Sequence, residues 1–127
     1  MGANVLTLTS DVKEQGLRTY AQCHSELGGR ATLLLINVSP TVTFSATVEQ
    51  TMASAGMEVY QLSVGDGTQP RWNGLDSQHI KLNGELLRAS PQQLLPTIVP
   101  RNTTDPTLLS EPLTITFVGV RGAAQCQ

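Results

Sequence analysis

Ten acidic residues, two histidines and two cysteines are the groups in this chain that proton transfer, nucleophilic attack or metal binding would draw on. Two carboxyl groups about 5–5.5 Å apart can divide the roles of acid and nucleophile at an acetal carbon. Glu49 and Glu58 are the nearest candidates, because they flank the connection between two β-like runs and would face each other if those runs pair. Strand ends and loop edges are also where solvated charges ordinarily sit, so no catalytic pair is assigned. His24 and His79 lack a third partner at the spacing of a metal site or a triad. His24 follows Cys23, but adjacent strand residues point to opposite faces, so the two would not meet. Cys23 and Cys126 form neither a Cys-x-x-Cys motif nor a metal cluster. They either pair with each other or stay as two buried thiols. Nothing in this set calls for a metal or a cofactor.

Recognition chemistry has three candidates. Asn37-Val38-Ser39 and Asn102-Thr103-Thr104 match the acceptor pattern for asparagine-linked glycans. Pro40 after the serine and a place at a strand end count against Asn37, whereas Asn102 falls in a proline-rich stretch expected at the surface. Trp72 beside Arg71, with Asn73 and Asp76 close by, has the makings of a sugar platform: a flat ring with a hydrogen-bonding cation. Aromatic residues total only 4%, so a lone loop tryptophan stands out; the plainer reading packs it over the edge of the domain or against another one. Tyr20, Tyr60, Phe44 and Phe117 fall on strand periodicity, as core or interface residues do.

The elements that would position these residues are strands. Asn4 to Thr9 is a short β-compatible run, and Gly16 to Cys23 alternates, with Leu17, Thr19, Ala21 and Cys23 on one face. Arg30 to Val38 is a continuous apolar run of the kind a central strand covered on both faces shows. Thr41 to Val48 alternates strictly and is expected to form a hairpin with the run before it. The segment 49–56 reads as a loop, since Gly56 and a new β run cut off any helix. Met57 to Val64 alternates and stops at Gly65-Asp66-Gly67. His79 to Gly84 reads as a strand entering an Asn83-Gly84 turn, with Glu85 to Arg88 returning. The segment 89–107 holds Pro91, Pro96, Pro100 and Pro106 and is expected to be extended coil. Pro112 to Val120 is another alternating strand. Seven or eight short strands without an amphipathic helix predict an all-β, antiparallel β-sandwich filling one domain over residues 1–127.

A length of 127 residues suits that single domain, and 39% apolar residues suffice for its core. A net charge of −2 offers no footprint for nucleic acid. The longest apolar stretch, Leu33-Leu34-Leu35-Ile36, is far below the ~20 residues of a spanning helix. Met1-Gly2-Ala3-Asn4 shows no signal-peptide pattern, and Leu6 stands where a myristoylation motif has Ser or Thr, so the chain is read as cytosolic or as part of something longer.

Leu17-Arg-Thr-Tyr-Ala-Gln-Cys23, Thr32-Leu-Leu-Leu-Ile-Asn-Val-Ser39 leading to Thr43-Phe44, Glu58-Val-Tyr-Gln-Leu-Ser63, Ile80-Lys-Leu-Asn-Gly84 and Pro112-Leu-Thr-Ile-Thr-Phe-Val118 together resemble the C-terminal region of heparanase-like proteins, glycoside hydrolase family 79, above all the plant-type members. The blocks run in the same order over nearly the whole chain. The resemblance implies an accessory sandwich that braces a (β/α)8 catalytic barrel of an endo-β-glucuronidase and aids its folding and secretion. The family's catalytic glutamates lie on the barrel, so no acidic residue here inherits that role, and the chain alone is expected to be inactive. The resemblance further implies a disulfide between Cys23 and Cys126, a secretory-pathway location (extracellular, lysosomal or vacuolar, or membrane-associated), and the barrel and glycans as partners. The alternatives are a free-standing carbohydrate-binding or adhesion sandwich using Trp72 and Arg71, and a small hydrolase in its own right.

Overall fold

The computed structural model describes residues 5–6, 16–24, 28–65 and 77–126. Among these described residues are ten strands: β1 (Val5–Leu6), β2 (Leu17–Cys23), β3 (Arg30–Asn37), β4 (Phe44–Thr47), β5 (Met57–Val64), β6 (Ile80–Leu82), β7 (Glu85–Leu86), β8 (Arg101–Thr103), β9 (Thr107–Ser110) and β10 (Thr114–Arg121). A short helix, α1 (Gln50–Ser54), and a 3-10 turn (Ala124–Cys126) complete them. All strand pairs are antiparallel. The large sheet runs β1-β2-β3-β10-β5-β6-β7, with β8 on the same edge of β5 as β6, and β4 pairs with β9 in a second, two-stranded sheet. This is an all-β, sandwich-like domain, as alternation predicts.

Alternation also sets its faces. Leu35 on β3, Met57 and Val59 on β5 and Val118 and Val120 on β10 point to one side, where Val48, Ala53 and Leu108 of the smaller layer close the core over them. β10 buries Thr114 and Thr116 on this inner side as well. They are tolerated because each hydroxyl has a partner: Thr114 Oγ1 donates to the Glu111 carbonyl at 2.7 Å, and Thr116 Oγ1 accepts from Gln61 Nε2 at 3.3 Å. The same Gln61 amide donates to the Leu109 carbonyl at 3.0 Å, joining the two layers.

Three sequence expectations are corrected. β4 does not form a hairpin with β3, because the chain leaves the large sheet after Asn37 and crosses to the second layer. The crossing is held by Asn37: its Nδ2 donates to the carbonyls of Val42, Ser110 and Glu111 at 2.8–2.9 Å, and its Oδ1 accepts from Ser39 N–H. Phe44 then enters the core over Gly16, where an added Cβ would lie 2.9 Å from the ring. The segment 49–56 contains α1 rather than loop alone, with Ala53 fully buried. The proline-rich segment is not all coil: β8 sits between Pro100 and Pro106 and pairs with Met57 to Val59.

The Asn83-Gly84 turn is present with φ of 50° and 87°, the pair of positive angles a tight hairpin requires. Asn83 does a second job. Its side chain accepts from Gln61 N–H and donates to Val59 O, filling the ladder gap on β5 between β6 and β8.

Candidate functional site

The outer face of the large sheet is built by the registers. One row crosses four strands as Tyr20, Leu34, Phe117 and Tyr60, and the next as Arg18, Ile36, Ile115, Leu62 and Leu82. Three of the chain's five aromatic residues stand in the first row. Tyr20 is 51% exposed and Ile115 41%, while Leu34, Ile36, Tyr60, Leu62 and Phe117 are half-buried. A flat apolar patch of this kind, on a sheet whose other side carries the core, has the character of an interface. A third row, Gln22, Thr32, Gly119, Glu58 and Asn102, is polar and borders the patch. Arg121 Nη2 donates to Glu58 Oε1 at 2.8 Å along this margin. The patch offers apolar and aromatic area that a second surface can cover.

The residues singled out by sequence are distributed as follows. Cys23 and Cys126 are disulfide-bonded, with Cα atoms 5.3 Å apart, and pack with Ala31 and Ala123 in a small cluster. Gly29 N–H donates to the Cys126 carbonyl and Ala123 N–H to the Gly29 carbonyl, so the tail is tied to the β2–β3 connection by main chain as well. Asn37, one of the two matches to the glycan-acceptor pattern and the one that Pro40 counts against, is 2% exposed with its Nδ2 donating to three carbonyls. Asn102 is exposed on β8. Trp72 and Arg71, with Asn73 and Asp76, lie outside the described residues. Glu49 and Glu58 do not converge, since Glu58 is on the outer face and Glu49 precedes α1 in the inner layer. His24 N–H donates to the Arg30 carbonyl beside the disulfide, and the His79 carbonyl accepts from Gly65 N–H at the base of the 66–76 segment. Phe44 is core; Tyr20, Tyr60 and Phe117 are the outer row.

Sequence reasoning missed Ile115, Leu34, Ile36 and Leu62 as members of one exposed surface. The signal was there in the unbroken apolar run of β3, which implies cover on both faces. It also missed Leu94 and Leu95, 82% and 78% exposed on the segment after β7. An apolar cavity of about 440 Å3 opens on the inner side, lined among others by Ala21, Ala31, Leu33, Val48 and Met52. A more polar one of about 500 Å3 lies between the β6–β7 hairpin and residues 93–101.

No protein-family model and no curated protein matches this sequence. Among solved structures, a thermostable GH51 α-L-arabinofuranosidase from Thermotoga petrophila RKU-1 is similar at 14% identity and a TM-score of 0.47, over 83% of this chain and 19% of that one. The chain thus spans about a fifth of the length of that protein. The disulfide is a bond characteristic of oxidising compartments. Among the described residues no helix is long and apolar enough to cross a membrane.

Proposed function

We propose that this chain is a non-catalytic accessory sandwich of a heparanase-like glycoside hydrolase, and that its outer face rests against the enzyme's (β/α)8 barrel. The observation that carries this reading is the face itself: β10 turns Ile115 and Phe117 outward while burying Thr114 and Thr116. A sheet that buries threonines and exposes an aromatic row is arranged for two apolar contacts, one inside and one outside. The order of the sequence blocks matching the heparanase-like C-terminal region supports the identity of the second partner. The disulfide supports passage through an oxidising compartment. In this reading the sandwich supplies rigidity and surface, and the barrel supplies the acid and the nucleophile.

The test mixes the purified chain with an isolated barrel of a heparanase-like enzyme and follows association by analytical ultracentrifugation. A complex is expected, lost in Phe117→Lys and retained in Leu94→Lys. Absence of a complex, or equal loss in both variants, would refute the docking face. Turnover of a chromogenic glucuronide by the chain alone would refute the non-catalytic role.

A further inference from the structure

We infer that Asn102 carries an asparagine-linked glycan and that Asn37, the other acceptor sequence, does not. Both match the same three-residue pattern; Pro40 after Ser39 already counts against Asn37, and the structure gives the physical reason to separate them. The Asn37 carboxamide is the clamp between the two layers, and a glycosylated Nδ2, with a single hydrogen left, could not serve Val42, Ser110 and Glu111 in a closed core. Asn102 is the opposite case. It stands on β8, which pairs with β5 and whose other edge is unpaired among the described residues. Its side chain is exposed, and its carboxamide has no hydrogen-bond partner among the described residues. Thr104, which completes the pattern, is exposed too. The space in front of the residue is an open cavity of about 390 Å3 whose walls include Glu58, Thr103, Thr104 and Arg121. Their carboxylate, guanidinium and hydroxyl groups offer the hydrogen-bonding partners that a first sugar's hydroxyl and acetamido groups seek.

The chemistry is a group transfer from a polyprenyl-diphosphate-linked oligosaccharide. The Asn102 Nδ2–C1 bond forms, the bond from C1 to the diphosphate oxygen breaks, Nδ2 gives up one proton, and polyprenyl diphosphate leaves. The compartment that holds such donors is also the one in which the Cys23–Cys126 bond forms. Two consequences follow for the folded molecule. The glycan blunts the open edge of β8, which would otherwise be a template for pairing with another chain. It also marks the polar row as a boundary, so any layer over the aromatic row must stop short of β8. The inference does not depend on which partner covers that row.

The test translates the full chain, preceded by a cleavable secretion signal, in the presence of endoplasmic-reticulum microsomes, and reads electrophoretic mobility with and without peptide-N-glycosidase. One glycosidase-sensitive shift is expected, retained in Ser39→Ala and lost in Thr104→Ala and Asn102→Gln. Because the transfer is read on the translocated chain, loss of secretion in a variant does not obscure the result. Non-reducing electrophoresis of the shifted band is expected to show the disulfide. An unshifted parent chain, a shift that survives Thr104→Ala or Asn102→Gln, or a second shift that Ser39→Ala removes would each overturn the assignment.

Discussion

The two faces of β10 carry almost inverted compositions. Inward lie Thr114, Thr116, Val118 and Val120, all at most 1% exposed, and outward lie Ile115, Phe117, Gly119 and Arg121, none of them buried. Burial in this domain therefore does not follow from how apolar a face is. It follows from which face the smaller layer can reach, and that layer is placed by polar groups: the Asn37 amide, Gln61 and the Thr114 hydroxyl. The inner face is specified by hydrogen bonds inside an apolar surround, while the outer one holds apolar surface in reserve.

The largest expected effect comes from cutting the cross-link that ties the C-terminal tail to the large sheet beside β2 and β3. The disulfide closes a separation of 103 residues, and in the chain-entropy model a loop near that size is worth about 4.7 kcal/mol. The double variant Cys23→Ser/Cys126→Ser is expected to lose close to that amount in urea unfolding. A loss under about 1 kcal/mol would mean that the tail's main-chain bonds suffice. Next comes Asn37→Ala, which leaves the carbonyls of Val42, Ser110 and Glu111 without their donor in or near the core. Unfolding free energy should fall by about 3 kcal/mol.

A third experiment sets the faces directly against each other. Val118 is fully buried, and Val118→Ala should cost about 2 kcal/mol through lost transfer energy and a residual cavity. Its outward neighbour Phe117 is half-buried, and Phe117→Thr keeps β-propensity while removing the ring, so it should cost less than about 1 kcal/mol in the isolated chain. Equal costs would show that the outer row is a core in its own right.

The strands were legible in the sequence because alternating threonine with valine, leucine or phenylalanine has no other good home. What alternation does not carry is the destination of a strand. Thr41 to Val48 shows the same pattern whether it folds back on β3 or crosses to a second layer, and the decision is made by the Asn37 side chain, whose acceptors lie as far as 74 residues away in sequence. Nor does alternation say which face is inside, and so Thr114 and Thr116 were unreadable as core residues. α1 has five residues, too few for a helical period to show. β8 has three, between prolines that masked it. The site itself was half legible. Its aromatic members Tyr20, Tyr60 and Phe117 were on strand periodicity, but their joining into one row needed registers that only the folded sheet provides. The two glycan-acceptor patterns were legible, and Pro40 already weighed against Asn37; what the sequence could not show is that the Asn37 carboxamide clamps the two layers.

The smallest expected effect tests where the outer face ends. Glu58 and Arg121 are 2.8 Å apart with side chains 32% and 50% exposed, so their pairing is screened by water on a surface that the polar row keeps wet. A double-mutant cycle with Glu58→Gln and Arg121→Gln should give a coupling below about 1 kcal/mol that fades as salt is raised to 1 M, where the Debye length is about 3 Å. A coupling well above that, insensitive to salt, would mean that the pair is covered in solution. The margin would then belong to the interface, the boundary would move outward onto β8, and a sugar on Asn102 would compete with whatever lies over the row.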